Sequence, residues 1–231
     1  MIQIHPLTGI GEVEPGTALD ALLADRIDAL GLAPLEKGDI LVVTQKIVSK
    51  SENRFVDLAA VEAGAEALRL ADVTGKDPRL VELVLSESSD ILRAVPHVLI
   101  TRHRSGHVMA NAGIDRSNIG GHDGDLALLL PEDSDASAER LRVGLSARFP
   151  APPAVVISDS FGRPWRLGVV CVALGASGLP ALLDRRGETD RDGRVLEVTQ
   201  IALADMAATA AGLVMGEGAE GVPAALIRGS G

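Results

Sequence analysis

The chain has 231 residues, more than an average single domain of roughly 100–200 residues and fewer than two such domains. Its 22 basic and 32 acidic residues give a net charge of −10, and only 2% of its residues are aromatic. These values exclude a general nucleic-acid-binding protein, because such proteins gain affinity from cationic contacts with phosphate and from aromatic stacking on bases. With 46% hydrophobic residues, the chain can bury a core, which excludes a disordered or fibrous protein.

The sequence carries no signal for secretion or membrane insertion. Its single cysteine, Cys171, cannot form a disulfide within the chain. We find no signal peptide and no apolar run near the ~20 residues of a membrane span. We therefore expect a cytoplasmic protein without a membrane or nucleic-acid partner, in which residues 1–231 form one unit. Residues 150–153 mark a hinge between two lobes or, alternatively, a plain turn before a strand.

The hydrophobic pattern alternates between helical and strand periodicity and predicts a mixed α/β protein of the α+β class. Leucine and isoleucine recur at helical spacing over residues 17–30, which predicts a helix that Thr17 and Asp20 begin as a variant of a capping box. An apolar run over residues 40–44 predicts a buried strand. The other predicted helices are residues 57–71, 135–148 and 201–214. A further predicted helix is opened by Asp77 and Pro78 and has the apolar face Val81, Val84, Leu85 and Leu92. The other predicted strands are residues 97–102, 107–110, 126–130, 154–158, 169–174 and 224–228.

The predicted helix over residues 201–214 is apolar on nearly all sides. Such a helix is typical of a hydrophobic core or of a subunit interface. Membrane insertion is the weaker interpretation, because the segment is too short to span a bilayer and contains Asp205.

Polar residues follow the predicted strand at 40–44. Residues 44–50, Thr-Gln-Lys-Ile-Val-Ser-Lys, interleave two lysines with hydroxyl and amide side chains. Loops at strand ends commonly carry ligand contacts, and a lysine is a mobile point charge with three donors. The segment is therefore a candidate for binding phosphate oxygens, with a solvated turn as the alternative.

A second polar segment covers residues 111–118, Asn-Ala-Gly-Ile-Asp-Arg-Ser-Asn. Hard divalent ions prefer carboxylate and amide oxygens, and a nucleotide base or ribose needs amide donors and acceptors. The segment could supply both kinds of contact. The alternative is an Asx turn, in which these side chains bond to their own backbone.

A third polar segment covers residues 157–168, Ile-Ser-Asp-Ser-Phe-Gly-Arg-Pro-Trp-Arg-Leu-Gly. Asp159 and Ser160 follow the predicted strand in the manner of a magnesium ligand in phosphoryl-transfer sites. Arg163 and Arg166 flank Trp165 and suit phosphate or carboxylate, while the indole could lie against a flat ring. A structural salt-bridge corner is the alternative.

The fourth segment, residues 215–223, matches the pattern G-x-G-x-x-G. It follows a predicted helix and precedes a strand, which is the wrong context for a dinucleotide fold. Its backbone amides could still bind phosphate, and Glu217 could ligate a metal; a plain helix C-terminal turn explains Gly216 alone. No Walker A, H-E-x-x-H, C-x-x-C or G-x-S-x-G pattern occurs, which excludes the common P-loop, zinc hydrolase, thiol redox and α/β-hydrolase folds.

Taken together, these segments resemble one family. The motifs are Gly-Asp-Ile-Leu-Val-Val at 38–43 leading to Ser49-Lys50, Asn-Ala-Gly-Ile-Asp-x-Ser-Asn at 111–118, Leu-Leu-Pro with Ser-Ala-x-x-Leu-Arg at 129–142, Asp-Ser-x-Gly-Arg-Pro-Trp-Arg-x-Gly at 159–168 and Met-Gly-Glu-Gly at 215–218. In this order they span the chain and resemble the γ-glutamyl ligases of deazaflavin coenzyme F420 biosynthesis.

The resemblance implies GTP-dependent addition of L-glutamate to the lactyl carboxylate of the deazaflavin precursor, and then of a second glutamate through a γ-linkage. It also implies Mg²⁺ or Mn²⁺ at two sites, with K⁺ as a further cofactor. The implied architecture is a family-specific ligase fold with mixed sheets, assembled as an intertwined homodimer. Some relatives carry a fused reductase domain, and we expect none in residues 1–231.

The resemblance also assigns residues. It implies that Asp115 and Asp159 ligate one divalent ion, with Ser160 and Glu217 on a second. It implies nucleotide contacts from Ile10, Gly11, Glu12, Val13, Gln45, Lys46, Lys50, Asn118, Met215, Gly216, Glu217, Gly218, Ala219, Glu220, Gly221 and Val222.

Charge balance suggests which side chains take part in catalysis. Triphosphate, acceptor and glutamate are all anionic, so an acidic protein must concentrate cations where they meet. We expect Lys50, Arg163 and Arg166 to supply them beside the metals, with an acyl phosphate as the intermediate. Two alternatives stay open: a non-catalytic sensor of nucleotide and metal, and an acid–amine ligase for another acceptor.

Overall fold

The computed structural model describes residues 1–119 and 125–229. Over these residues the secondary structure mixes helices and strands, as predicted. The helices are α1 (Leu19–Ala29), α2 (Gln45–Ser51), α3 (Ala65–Thr74), α4 (Pro78–Ser86), α5 (Ser134–Ser146) and α6 (Leu203–Met215). The strands are β1 (Gln3–Pro6), β2 (Ile40–Thr44), β3 (Phe55–Asp57), β4 (Ser88–Val95), β5 (Val98–His103), β6 (Val108–Ala110), β7 (Leu126–Leu128), β8 (Ala154–Gly162), β9 (Val169–Ser177), β10 (Leu182–Asp184), β11 (Gln200–Ala202) and β12 (Ala224–Arg228).

The chain forms two compact units, and unit 1 is built on a five-stranded sheet. Unit 1 comprises residues 1–11, 18–45 and the described residues from 134 onward. Its sheet has the strand order β1-β12-β2-β8-β9. Strands β2 and β8 are parallel, and all other neighbours are antiparallel. The central strands are continuous apolar runs because both faces of the sheet are covered.

Helices α5 and α6 pack on opposite faces of this sheet. Val156 belongs to the apolar cluster that contains the small residues of α6. Its neighbour Ile157 points to the other face, since side chains alternate along a strand. Gly175 is the cross-strand partner of Ile157, and a Cβ atom there would lie 2.3 Å from the backbone of Ser134, where α5 begins. Only glycine fits this close approach of helix and strand.

Unit 2 comprises residues 12–17 and the described residues of 46–133. It contains the antiparallel pair β3-β7 and the antiparallel meander β4-β5-β6. Its core is formed by apolar side chains of α3, α4 and the neighbouring strands, among them Leu70, Val84, Leu99 and Ala127. Asp77 caps α4 by accepting a hydrogen bond from the backbone N–H of Arg79 at 2.9 Å. The start of the predicted helix at Asp77 and Pro78 is therefore confirmed. Its extent is wrong, because α4 ends at Ser86 and the predicted face residue Leu92 lies in β4, which pairs with β5.

Most elements lie where the periodicity predicts them, but the start of α1 does not. The helix begins at Leu19, and its N-terminal flanking residue Ala18 provides no side-chain cap. The hydroxyl of Thr17 instead donates to the backbone carbonyl of Glu14 at 2.7 Å. The capping-box prediction is wrong, because Thr17 closes a local turn with Glu14.

Three other predicted segments differ from the structure. The polar segment at 44–50 is predicted as a loop, but Thr44 ends β2 and the other residues lie in α2. The predicted helix at 57–71 begins only at Ala65, because residues 61–64 are not helical. The predicted strand at 154–158 continues to Gly162, since residues 158–162 pair with β9. Strands β1, β3, β4, β10 and β11 were not predicted.

Helix α6 is apolar but not covered on all sides. Ala204, Ala208 and Ala211 are buried against the sheet of unit 1. Met206 is 60% exposed and Leu213 is 83% exposed. Within the described residues, no helix combines the length and the apolar character needed to cross a membrane. Residues 150–153 lie inside unit 1, between α5 and β8.

Candidate active site

Helix α2 carries the two lysines that follow β2. Its apolar residues Ile47 and Val48 are buried, and so are Gln45 and Lys50. Lys50 is only 4% exposed, and its ammonium group forms an ion pair with the carboxylate of Glu12. The segment is therefore a helix with a buried lysine and not a solvated turn. The ion pair with Glu12 offsets the cost of burying the lysine.

Lys46 points to the loop that carries Asp115. Its Nζ donates to Asp115 Oδ2 at 2.7 Å and to the backbone carbonyl of Ser117 at 2.9 Å. The hydroxyl of Ser117 also lies 3.5 Å from Nζ. The ammonium group therefore has three oxygen neighbours within unit 2.

The loop around Asp115 is held in place by its backbone. Residues Asn111, Ala112 and Gly113 all have positive φ angles, which reverse the chain after β6. A Cβ atom at Gly113 would lie 2.8 Å from Leu130, so this turn requires glycine. Asp115 then pairs with Leu128 of β7 through two backbone hydrogen bonds.

The carboxylate of Asp115 forms the predicted Asx turn. Its Oδ1 accepts from the backbone N–H groups of Arg116 at 2.6 Å and of Ser117 at 2.7 Å. Burial by itself would raise the pKa of Asp115, but the hydrogen bonds from Lys46 and Ser117 outweigh it and lower this pKa. The Asp115 carboxyl is therefore ionised at neutral pH. Ser117 was not among the predicted site residues, although its position two residues after an aspartate is typical of an Asx turn.

Ser160 and Glu217 are brought together within unit 1. Ser160 lies in β8 and Glu217 follows α6, and the serine hydroxyl donates to Glu217 Oε2 at 2.5 Å. The Cys171 thiol, opposite Ser160 on β9, lies 3.5 Å from Glu217 Oε1. The structure thus joins two predicted ligands that are 57 residues apart in the sequence.

Cys171 is the neighbour of this pair that the sequence did not reveal as part of a site. Burial raises its pKa to about 11, and the charge of Glu217 acts in the same direction. The cysteine is therefore a neutral thiol at pH 7. Asp159, the residue before Ser160 on β8, is partly buried.

The glycine-rich segment ends α6 as a helix C-terminal turn. Gly216 has a φ of +75° and its N–H donates to the carbonyl of Gly212. Glu220 bonds back to the backbone N–H of Gly218 at 2.8 Å. Met215 is buried and Val222 partly buried, whereas residues 216–221 are exposed. The backbone of these exposed residues is accessible to a ligand.

The arginine segment forms the turn between β8 and β9. Arg163 donates to the carbonyl of Leu167 at 3.0 Å and thereby closes the turn. Arg166 is exposed, and Trp165 is fully exposed with a φ of +57°. A bulky residue in the left-handed region is strained, so the turn holds the indole outward at a cost.

The remaining predicted residues lie in the N-terminal segment and beside Asp115. Ile10 and Gly11 belong to unit 1, whereas Glu12 and Val13 belong to unit 2. Ile10 and Val13 are buried, and Gly11 has a φ of +73°. Asn118 is exposed and has a φ of +52°. Asp115 belongs to unit 2, and Asp159 belongs to unit 1. That Asp115 and Asp159 share an ion stays a prediction.

The donors fit a hard divalent ion in their chemistry. The Asp115 carboxylate has the Ser117 hydroxyl beside it, and the Glu217 carboxylate has the Ser160 hydroxyl beside it. Among the residues described, no group of three or more His, Cys, Asp and Glu side chains could hold a metal by itself.

Comparison with known proteins identifies the family. The model of the F420-0:gamma-glutamyl ligase family matches residues 9–229, which include every candidate residue described above. The chain belongs to this family of γ-glutamyl ligases.

Individual relatives agree with the family match. The chain is 44% identical over 228 residues to the coenzyme F420:L-glutamate ligase of Methanopyrus kandleri, a match that covers 99% of this chain and 87% of the relative. It is 46% identical over 224 residues to the ligase of that name from Methanothermobacter thermautotrophicus, covering 97% of this chain and 85% of the relative. It is 47% identical over 226 residues to the coenzyme F420:L-glutamate ligase of Natronomonas pharaonis, a match that covers 95% of this chain and 83% of the relative.

Proposed function

We propose that this protein is a GTP-dependent ligase that adds L-glutamate to the deazaflavin coenzyme precursor and then adds a second glutamate through a γ-linkage. The observation that carries the proposal is the family match over residues 9–229. The relatives cited above are named coenzyme F420:L-glutamate ligases, which supports the choice of glutamate and of the deazaflavin acceptor.

The reaction needs an activated carboxylate. The γ-phosphoryl group of GTP is transferred to the acceptor carboxylate, which gives an acyl phosphate and GDP. The amine of glutamate then attacks the acyl carbon, the amide bond forms, and inorganic phosphate leaves with the electron pair of the broken C–O bond. Because positioning and charge neutralisation dominate phosphoryl transfer, the protein has little covalent chemistry of its own to perform.

The cationic side chains hold the anionic reactants in this proposal. Lys50 is buried and therefore interacts with a phosphate oxygen more strongly than a solvated lysine would. Lys46, Gln45, the segment 10–13, Asn118 and the glycine-rich turn 215–222 complete the nucleotide contacts. Arg163 and Arg166 bind the phosphate or carboxylate groups of the acceptor.

Asp115, Asp159, Ser160 and Glu217 are the residues that would hold Mg²⁺ or Mn²⁺. Such ions neutralise charge on the phosphoryl oxygens and orient the reacting groups. The ionised state of Asp115 and the contact of Ser160 with Glu217 support these assignments. K⁺ is a further cofactor in this proposal.

We also propose that the protein acts as a homodimer in the cytoplasm. Unit 1 exposes Trp165, Leu167 and Leu213 almost completely. Trp165 and Leu167 lie two residues apart in one turn, and a contiguous exposed apolar patch commonly marks a protein–protein interface. A second copy of this chain is the partner that the family resemblance implies.

A product assay tests the proposed activity. Purified protein is incubated with GTP, Mn²⁺, L-glutamate and deazaflavin precursor, and the product mass is measured together with released phosphate. We expect the mass to increase by one and then two glutamyl residues, with one phosphate released for each. Replacement of GTP by ATP and omission of glutamate are the controls.

The same assay separates the alternative functions. A sensor would bind GTP and Mn²⁺ but release no phosphate in response to glutamate. A ligase for another acceptor would release phosphate only when a different carboxylic acid is supplied. Either result would contradict the proposed reaction.

A further inference from the structure

The ammonium group of Lys46 occupies a cation position beside Asp115. Its oxygen neighbours are the Asp115 carboxylate at 2.7 Å, the Ser117 carbonyl at 2.9 Å and the Ser117 hydroxyl at 3.5 Å. Carboxylate, carbonyl and hydroxyl oxygens are also the ligands that hard metal ions choose. An ammonium group and a metal ion cannot both occupy the space in front of Asp115 Oδ2.

We propose that the ammonium group of Lys46 occupies a metal-binding position at Asp115 until a divalent ion displaces it. The displaced ammonium group then becomes available to bind the phosphates of the nucleotide. The inference rests on the proposed function, since it takes Asp115 as a metal ligand. It adds a positioning role for Lys46. A metal ion at Asp115 releases the ammonium group of Lys46, which then strengthens nucleotide binding.

The geometry allows the exchange. The side chain of Lys46 is 22% exposed and that of Asp115 is 36% exposed, so water can solvate both groups when they separate. Lys50 differs, because its side chain is only 5% exposed and its pairing with Glu12 leaves it little room. The ammonium group of Lys46 is therefore the one of these two that can leave at low cost.

The carboxylate of Asp115 keeps its orientation when Lys46 leaves. Its Oδ1 is held by the backbone N–H groups of Arg116 and Ser117. Lys46 binds the other oxygen, Oδ2, which the Ser117 hydroxyl also contacts at 3.0 Å. Displacement of Lys46 thus exposes one oriented oxygen without loss of the turn that supports it.

The exchange couples metal binding to nucleotide binding. A metal ion that frees Lys46 raises the affinity for phosphate, and by linkage a bound phosphate that holds Lys46 raises the affinity for the metal. Lys46→Met removes the competing cation but keeps the aliphatic chain. This variant should therefore bind the metal more tightly in the absence of nucleotide and lose part of the coupling.

The test is a titration of the full chain with Mn²⁺, followed by electron paramagnetic resonance of the free ion, with and without GDP. Without nucleotide, we expect Lys46→Met to bind Mn²⁺ about fivefold more tightly than the wild type, the ratio that corresponds to roughly 1 kcal/mol for a partly exposed pair. Lys37→Met is the matched control, since Lys37 is exposed and its loss changes the net charge equally. GDP should enhance Mn²⁺ binding less in Lys46→Met than in the wild type.

Other outcomes separate the two proposals. If Asp115→Asn binds Mn²⁺ as the wild type does, Asp115 is not a ligand, and the metal assignment fails together with the exchange. If Asp115→Asn weakens binding but Lys46→Met matches Lys37→Met or binds more weakly, only the exchange is overturned. Lys46→Gln repeats the comparison, with circular dichroism to establish that each variant is folded.

Discussion

The buried ion pair between Asp39 and Arg228 allows a sharp prediction about the stability of unit 1. The side chain of Asp39 is completely buried, and its carboxylate accepts from Arg228 Nη2 at 2.8 Å and Nε at 3.2 Å. Arg228 Nη2 also donates to the backbone carbonyl of Leu32 at 2.8 Å. Arg228→Met removes these donors and leaves Asp39 with a hydrogen bond from the backbone N–H of Glu36.

The expected loss follows from the desolvated carboxylate. Removal of one partner of a buried pair costs roughly 3–5 kcal/mol, because the remaining charge cannot be solvated. In a urea titration followed by circular dichroism, this corresponds to a midpoint lower by about 2 M for an m-value near ~2 kcal/mol/M. The additional change Asp39→Asn should recover part of the loss, since it removes the uncompensated charge.

An exposed pair provides the matched control. Arg69 and Glu66 bond through their side chains on α3, and these side chains are 60% and 52% exposed. Arg69→Met should leave the urea midpoint nearly unchanged, because water replaces the lost partner. If Arg228→Met cost no more than Arg69→Met, the reasoning from burial would be refuted.

Three other predictions concern the site and the fold. Asp159→Asn should lower metal-dependent turnover by more than roughly 100-fold, because loss of even an outer-shell partner of a metal ligand costs up to that much. The circular dichroism spectrum should not change, and full activity in the product assay would contradict the ligand role. Lys50→Met should raise the KM for GTP at least about tenfold, because a charged hydrogen bond to phosphate is lost, and an unchanged KM would remove Lys50 from the nucleotide site. The hydrogen bond from Arg79 lowers the pKa of Asp77 below its ordinary 3.8, so its stabilising effect is present above pH 3.8 and lost as the pH falls through the lowered pKa. Asp77→Asn should therefore be less stable than the wild type at pH 7 in urea titrations, and the difference should shrink only as the pH falls below 3.8 and through the lowered pKa. A difference independent of pH would argue against the ion pair.

Local patterns predicted the elements whose own residues determine them. The apolar run at 40–44 forms β2, and the Asp77-Pro78 pair opens α4. Helix α2 was missed because a segment of seven residues is too short for its hydrophobic periodicity to distinguish a helix from a polar loop. The extension of β8 beyond residue 158 was missed because Asp159 and Ser160 become strand residues only through pairing with β9.

The candidate site divides in the same way. The residue types of the polar segments, and the order of their motifs, indicated phosphate and metal chemistry before any fold was known. The sequence could not indicate that Lys46 contacts Asp115, 69 residues away, or that Lys50 pairs with Glu12. It also gave no sign that Cys171 lies beside Glu217.

The sequence by itself therefore determined the family, the mixed fold class and the supply of hard oxygen ligands and lysines. Only the tertiary structure decided which of these groups meet, as with Ser160 and Glu217. The physical reason is that periodicity and composition act over a few neighbouring residues. Charge pairing and desolvation, in contrast, depend on distances in space that strand pairing and core packing create.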